Sequence, residues 1–496
     1  MTRTSSTHPL QIAELVLGPA LGRIGITFCP GKKQPDALTG AWDRNLGIDL
    51  DAVEAWGAAA VLTLVEAHEL AALSVEGLGD AVKARHMLWL HAPIPDVTAP
   101  GEQFERGWTT TGAQVRDLLR SGFNVLVHCK GGLGRAGTIA ARLAVELGAK
   151  PTQAVADVRQ VRPGAIETEA QRAHVLALGP AHEPRPATAA EAIRDRELGC
   201  LLGLAVGDAV GTTLEFKARD SGPPLTDMVG GGPFGLKAGQ WTDDTAMALA
   251  LADSLIEHPA LDERDLLDRF VRWWKEGDYS CTGACFDIGI TTSQALSRWQ
   301  RSGNPKSGST DPYSAGNGSL MRLAPVAVRW RTDREVLREV AARQSETTHG
   351  APEAVDACIA YAEILADAIA GRRRSEVLAS RGEPYAGKIA AIVAGSWRGL
   401  RRAQVRSSGY VAHSLEAALW CVGRTTNFKD AVLLAANLGD DADTTAAITG
   451  QLAGALYGAS GIPAVWREKL AWAERIGDMA QTLTAAADQN FTDQLG

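Results

Sequence analysis

Several common signals are missing from this 496-residue chain. It has no uninterrupted run of about 18 apolar residues, so no membrane span is expected. Basic residues are not in excess: 50 Lys and Arg stand against 58 Asp and Glu, giving a net charge of −8. Such a chain lacks the broad basic face by which proteins hold nucleic acid, and no nucleic-acid partner is expected. Cysteine is scarce: the seven present are an odd number without regular spacing, which argues against a disulfide framework and for reduced thiols. The first residues, MTRTSSTHPLQIAELVLGPA, show no basic segment followed by a long apolar core. A secretory leader is therefore not expected, and a cytoplasmic location is.

What is present reads as globular protein: 45% hydrophobic and 22% charged residues, in a length that calls for two or three domains. The stretch GPAHEPRPATAAEA, residues 179–192, is rich in Pro and Ala without apolar periodicity and reads as a linker. Before it, over 1–178, short apolar runs (AAVLTLV, HMLWLHAPI, NVLVH) alternate with helical patterns, which predicts an α/β domain. After it, over 193–496, RELGCLLGLAVGDAVG, TDDTAMALALADSLIEH, PEAVDACIAYAEILADAIAG and DADTTAAITGQLAGALYG all carry helical spacing with many small residues, which predicts an all-α domain.

The segment NVLVHCKGGLGRAGTIA, from Asn124 to Ala140, joins an apolar strand to a helix predicted over Thr138–Leu147 through a glycine-rich turn. Glycines let backbone N–H groups converge, and a helix N-terminus adds partial positive charge, so the turn is an anion cradle. A cysteine at its mouth, here Cys129, is held as the thiolate by those dipoles. Arg135 completes a Cys-x5-Arg element, and its planar fork suits two oxygens of a phosphoryl group. Asp96, between two prolines upstream, is a proton donor for the leaving oxygen, and Gln171 a group to orient water. Together these supply phosphate-monoester hydrolysis through a phosphocysteine. Against this stand a packed cysteine beside a glycine loop and a rhodanese-like sulfur carrier, which needs no acid such as Asp96. Lys130 either favours polyanionic substrates or is a solvated surface lysine, and Cys29 reads as packed.

HCKGGLGRAG, with PIPD upstream and RPGAIET downstream, resembles the cysteine-dependent dual-specificity and tyrosine phosphatases of the kinase-associated phosphatase type. The resemblance implies Cys129 as nucleophile, Arg135 as phosphate clamp and Asp96 as general acid, with Gly131, Gly132, Gly134 and Gln171 around the substrate. One departure stands out. The family has Ser or Thr immediately after the loop arginine, donating to the thiolate as it leaves, and this chain has Ala136. A phosphate-trapping or phosphate-binding module is the alternative that Ala136 leaves open.

The helical half carries two acidic clusters, Thr242, Asp243 and Asp244 in GQWTDDTAMALA and Asp440, Asp441, Asp443 and Thr444 in NLGDDADTTAA. Singly, each is a helix cap with acids in the first turn. Jointly, they are hard oxygen ligands of the kind Mg²⁺ or Mn²⁺ accepts, with charge enough for two ions. With LAVGDAVGTTLEF (Gly207, Asp208, Glu215), the small-residue turn SAGNGSLMRLAP and ETTHGAPEAV, the set resembles the ADP-ribosylglycohydrolases of the dinitrogenase-reductase-activating type. That resemblance implies a binuclear Mg²⁺ or Mn²⁺ site held by Thr242, Asp243, Asp244, Asp441, Asp443 and Thr444. It places Glu215 near proton transfer, and Gly316, Asn317, Gly318, Ser319 and His349 on the substrate. The chain reads GDDADT where the family commonly has GGDTDT, so Asp440 replaces a glycine and Ala442 a threonine. The expectation is a bifunctional hydrolase acting on ADP-ribosylated proteins, arginine-linked, and on phosphoproteins. The alternatives are that both domains act on one phosphorylated ADP-ribose, or that the first domain is a docking module.

Overall fold

The computed structural model describes residues 2–37, 40–382 and 384–495, without the side chains of 486–495. It divides into two compact units, Met1–Pro184 with the short segment Arg398–Arg401, and the remainder from Arg185. The boundary falls inside the predicted linker, but the linker is shorter than 179–192, because a helix already begins at Ala190.

In the first unit, five strands form a sheet in the order β1 (Ala13–Leu15), β2 (Ile24–Phe28), β7 (Asn124–Cys129), β5 (Ala58–Thr63) and β6 (Leu88–His91). A separate hairpin pairs β3 (Lys33–Gln34) with β4 (Trp42–Asp43). Only β1 runs antiparallel in the sheet; β2, β7, β5 and β6 are parallel. Such a sheet is covered on both faces, which is why β5 is buried throughout and reads as an unbroken apolar run. The central strand β7 ends at Cys129, and the following helix spans Gly134–Glu146, with every residue buried. It starts four residues earlier than its apolar pattern suggests, since the small residues of GRAG pack without contributing an apolar stripe. Arg135 therefore sits in the helix's first turn rather than in the loop.

The second unit is helical, with only isolated bridges among its described residues. Its centre is a pair of helices, Ala190–Gly211 and Ala442–Tyr457. Glycines 199, 203, 207 and 211 recur every fourth residue and so fall on one face. A Cβ added at Gly199 would lie 2.4 Å from the Gly454 carbonyl, at Gly203 2.2 Å from that of Gly450, and at Gly207 2.1 Å from that of Ala446. At Gly211 the carbonyl of Ala442 would be 2.4 Å away. The partner answers in kind, Gly450 and Gly454 facing Gly203 and Gly199 at 2.0 and 1.8 Å. Backbone thus packs on backbone. The segment Ala190–Leu214 has the length of a membrane span and contains an 18-residue window of mean hydropathy 1.3, but 89% of that window is buried inside the protein. It is a core helix.

Gly207→Ala is expected to cost at least about 2–3 kcal/mol in chemical denaturation, because its methyl meets rigid backbone. Gly477→Ala, also helical but with its nearest neighbour at 3.9 Å, should leave stability unchanged or raise it by about 0.5–1 kcal/mol. Equal losses at both positions would contradict the backbone contact.

Candidate functional site

Two sites emerge, one in each unit. In the first, β7 delivers Cys129 to the C-terminal end of the sheet, where β2 and β5 flank it, the place at which open parallel sheets bind ligands. Gly132 adopts φ +71°, and a Cβ there would strike the Thr27 carbonyl carbon at 2.4 Å, so the turn accepts only glycine. Its N–H donates to Cys129 Sγ at 3.2 Å. Behind the nucleophile, His128 is fully buried and hydrogen-bonded through Nε2 to Thr63 Oγ1 (2.8 Å); burial pushes it down to about 3, so the imidazole is neutral.

Arg135 is held by more than the sequence suggests. Its guanidinium donates to both carboxylate oxygens of Glu69 (2.5 and 2.9 Å) and to the Ile94 carbonyl (2.9 Å). Nη2 also lies 2.9 Å from Asp96 Oδ1, and the Asp96 side chain is 54% exposed. Glu69 was not legible as a functional residue; it belongs to a capping box at the short helix Ala67–Ala72. Burial alone would raise its carboxyl, but hydrogen bonds from Arg135 and from the Glu66 N–H hold it below the usual range. The clamp is aligned before phosphate arrives. Gln171 lies beside Gly134, its Oε1 accepting from Glu167 and Thr168 N–H and its Nε2 donating to the Thr98 carbonyl. Gly131 and Gly132 carry the carbonyls that tie Arg162 to the loop. Among the described residues no hydroxyl hydrogen-bonds Cys129 Sγ in place of the one missing at Ala136, and Thr138 Oγ1 donates to the Gly134 carbonyl at 2.7 Å. Cys29 is buried, and burial pushes its thiol up to about 12, as a packed cysteine requires.

In the second unit the glycine-paired helices bring together acids far apart in sequence. Oxygens of Asp208, Asp244 and Asp443 lie within 4.8 Å of one another, as do those of Glu215, Asp441 and Asp443. Asp208 is the residue that sequence reasoning underused. Fully buried, it accepts from Thr242 N–H (3.0 Å), Thr242 Oγ1 (2.8 Å) and Thr245 N–H (3.0 Å), and so shapes the turn that presents Asp243 and Asp244. Glu215 accepts from the N–H groups of Ala442 (2.7 Å) and Asp443 (3.3 Å), tying the segment after helix Ala190–Gly211 to the second acidic cluster. Asn317 Nδ2 donates to Asp441 Oδ2 at 2.6 Å and to Ser414 Oγ at 2.8 Å.

A cavity of about 740 Å³ opens over this cluster, lined by Glu215, Asp243, Asp287, Asp440, Asp441 and Asp443, and by no lysine or arginine among its described residues. Gly316, Asn317, Gly318, His349 and Thr444 line it too. Thr242, Asp244 and Ser319 do not; Thr242 and Asp244 are buried and hydrogen-bonded to each other, and Ser319 is bonded to Ser345 and Cys358. A Cβ on Gly316 or Gly318 would press on the His349 ring at 3.2 or 2.7 Å. His349 is itself neutral, burial pushing it down to about 3. Asp287 is a further acid that sequence reading passed over; burial and the charges of Asp208 and Asp441 push it up to about 7.

The residues fit a divalent metal. Burial first, and mutual repulsion second, push Glu215 up to about 7 and Asp243, Asp244 and Asp443 well above the carboxylate range. Asp244 Oδ1 is buried with no hydrogen-bond partner among the described residues. A hard cation answers both features.

A family model described as ADP-ribosylglycohydrolase matches residues 189–492. The chain belongs to the ADP-ribosylglycohydrolase family. A second model, a DSP-PTPase phosphatase domain of the Swiss Army Knife type, matches residues 35–175, so the glycohydrolase is fused to a phosphatase domain. Over 295 residues the chain is 50% identical to the ADP-ribosylarginine hydrolase Tri1 of Pseudomonas putida (strain GB-1), covering 60% of this chain and 79% of that protein. It is 33% identical to the ADP-ribosyl-[dinitrogen reductase] glycohydrolase of Rhodospirillum rubrum, covering 56% and 91%. A solved ADP-ribosylglycohydrolase-related protein complex superposes with a TM-score of 0.53 at 38% identity, covering 60% of this chain and 99% of that one.

Within this glycohydrolase, Asp440 has φ +54°, in the left-handed region that favours glycine and tolerates Asp, which accounts for its exchange with the family's common glycine. It is locked to Phe216, also left-handed at φ +59°: Phe216 N–H donates to the Asp440 carbonyl, and Asp440 N–H to that of Lys217, both at 2.8 Å.

The acid cluster sets a pH dependence. Between about pH 4 and 7 the folded, metal-free cluster binds more protons than the unfolded chain, so its contribution to stability falls as pH rises. Calorimetry should therefore show Mn²⁺ raising Tm more at pH 8 than at pH 5. An equal or larger rise at pH 5 would contradict the raised acids.

Proposed function

We propose that the protein is a bifunctional hydrolase, removing ADP-ribose from arginine side chains of modified proteins with divalent metal and hydrolysing phosphate monoesters through a phosphocysteine. The observation that carries the first activity is the convergence of six carboxylates on one cavity that no lysine or arginine among the described residues lines. The 50% identity to a protein named ADP-ribosylarginine hydrolase supports arginine as the linkage.

Thr242, Asp243, Asp244, Asp441, Asp443 and Thr444 would hold two ions, Mg²⁺ or Mn²⁺, which when bound supply charge that binds a ribose diol and polarises its anomeric bond. Asn317 fixes the Asp441 carboxylate, and Asp208 fixes Thr242. Glu215, anchored on the N–H groups of Ala442 and Asp443, would exchange a proton with water or the departing guanidine. Gly316 to Gly318, small because His349 packs on them, let backbone approach the diphosphate.

In the phosphatase domain Cys129 attacks phosphorus while Arg135, already aligned by Glu69, holds the equatorial oxygens. Asp96, paired with Arg135 in the absence of phosphate, gives way to the phosphoryl oxygens; in its protonated form it transfers its proton to the leaving oxygen and is left as the carboxylate. Gln171 spends one Nε2–H on Thr98 and keeps the other for the hydrolytic water. Ala136 favours a second reading of this half, in which breakdown of the phosphocysteine is slow, because no hydroxyl supports the departing thiolate.

EDTA or Asp443→Asn should abolish ADP-ribose release from arginine-modified protein and leave phosphatase turnover intact; undiminished release in EDTA would rule out the metal site. In rapid mixing with para-nitrophenyl phosphate, Cys129→Ser should release no nitrophenol. Equal, steady release of nitrophenol and phosphate by wild type supports full turnover, whereas a burst of nitrophenol with phosphate retained supports the slow second step.

A further inference from the structure

The lining of the cavity over the carboxylates is chemically mixed. It includes the glycine turn with the neutral His349 and with Asn317, which donates to Asp441 at 2.6 Å. It also includes Phe216 beside Glu215 and Asp440, an apolar ring among carboxylates. Phe216 is 68% exposed although it is one of the largest apolar side chains in the unit. Its backbone is left-handed and tied by hydrogen bonds to Asp440, so the ring is held out by the fold. The ring meets Phe234 edge-on with centroids 6.2 Å apart, and Phe234 meets Phe286 at 5.1 Å, which makes a supported aromatic ledge.

Beside that ledge the Asp440 carboxylate is exposed and accepts no hydrogen bond among the described residues. Arg219, near enough to feel its charge, spends its guanidinium on the carbonyls of Leu438, Arg402 and Val405. Among the described residues no lysine or arginine forms an ion pair with Asp440, which lines the cavity. An aromatic face next to a carboxylate is the pairing that receives a guanidinium on an apolar stem, by cation–π attraction and charge together.

We propose that Phe216 and Asp440 form the subsite for the modified arginine, binding its guanidinium and stem, and so select arginine-linked over O-linked ADP-ribose. This rests on the arginine reading above. The leaving side chain lies along Phe216 with its charge toward Asp440, while the ADP moiety extends to the glycine turn. Both residues act on recognition of the leaving group and neither holds the sugar.

The test uses the full-length, Mn²⁺-loaded protein with two substrates, ADP-ribosylated arginine and an ADP-ribosylserine peptide, and with free ADP-ribose as a ligand lacking the leaving group. Phe216→Ala and Asp440→Asn should each raise KM for the arginine adduct by about fivefold or more, with kcat within about twofold and the calorimetric Kd of ADP-ribose unchanged. Phe216→Trp, which keeps an aromatic face, should restore the KM. Unchanged KM in both variants, or a parallel weakening of ADP-ribose binding, would overturn the subsite. A wild-type enzyme that cleaves only the serine-linked substrate would instead overturn the arginine reading itself.

Discussion

The second unit depends on one contact, the approach of helix Ala190–Gly211 to helix Ala442–Tyr457 without side chains between them. Dispersion between backbones at that distance is favourable only because both faces are glycine or alanine. Its effect reaches the end of each helix. Asp208 lies on the first helix and Asp443 on the second, and ordinary side chains at the interface would hold those helices several ångströms further apart. Glu215 then spans the remaining gap to the N–H groups of Ala442 and Asp443. The close packing thus determines the size of the space that a cation enters.

The two sites solve opposite electrostatic problems. Around Cys129 the task is to hold positive charge ready, and Glu69 does so by aligning Arg135 with two hydrogen bonds while leaving the cradle itself open. Around Asp443 the task is to concentrate negative charge, and the fold leaves that charge uncompensated by any lysine or arginine lining the cavity. Such a cluster is unfavourable on its own, since burial and repulsion both disfavour the ionised form. It persists because the helix pair and the Asp208 hydrogen bonds over-determine the geometry.

Much of this was legible in the sequence because the signals were local. Cys129, Arg135 and the glycines of the cradle lie within one strand–turn–helix, and short apolar runs before the linker and helical patterns after it distinguished an α/β unit from a helical one. Each acidic cluster also announced itself as a dense local run. What escaped was placement by distant partners. Glu69 looks like any acid in a short amphipathic segment, and only the fold sets it on Arg135. Asp208 sits in an apolar helix where a lone carboxylate signals something buried but not what it serves. Asp287 lies in a loop whose neighbours carry no pattern. Ser319, within a turn otherwise facing the cavity, points into the packing instead, since successive residues of a tight turn diverge in direction. The helix after Cys129 began early because alanine and glycine carry no hydrophobic periodicity.

The glycine row has a consequence for biosynthesis. Helix Ala190–Gly211 is among the first parts of its unit to be made, yet the surface that covers it arrives about 230 residues later. At ribosomal speeds that interval is tens of seconds or less, during which an apolar segment with the length of a membrane span has no mate. The same small residues that permit intimate packing in the finished protein offer nascent chains a flat face on which to associate with one another. Chaperone occupancy, and the order in which the ribosome delivers the two helices, thus become part of what the fold requires.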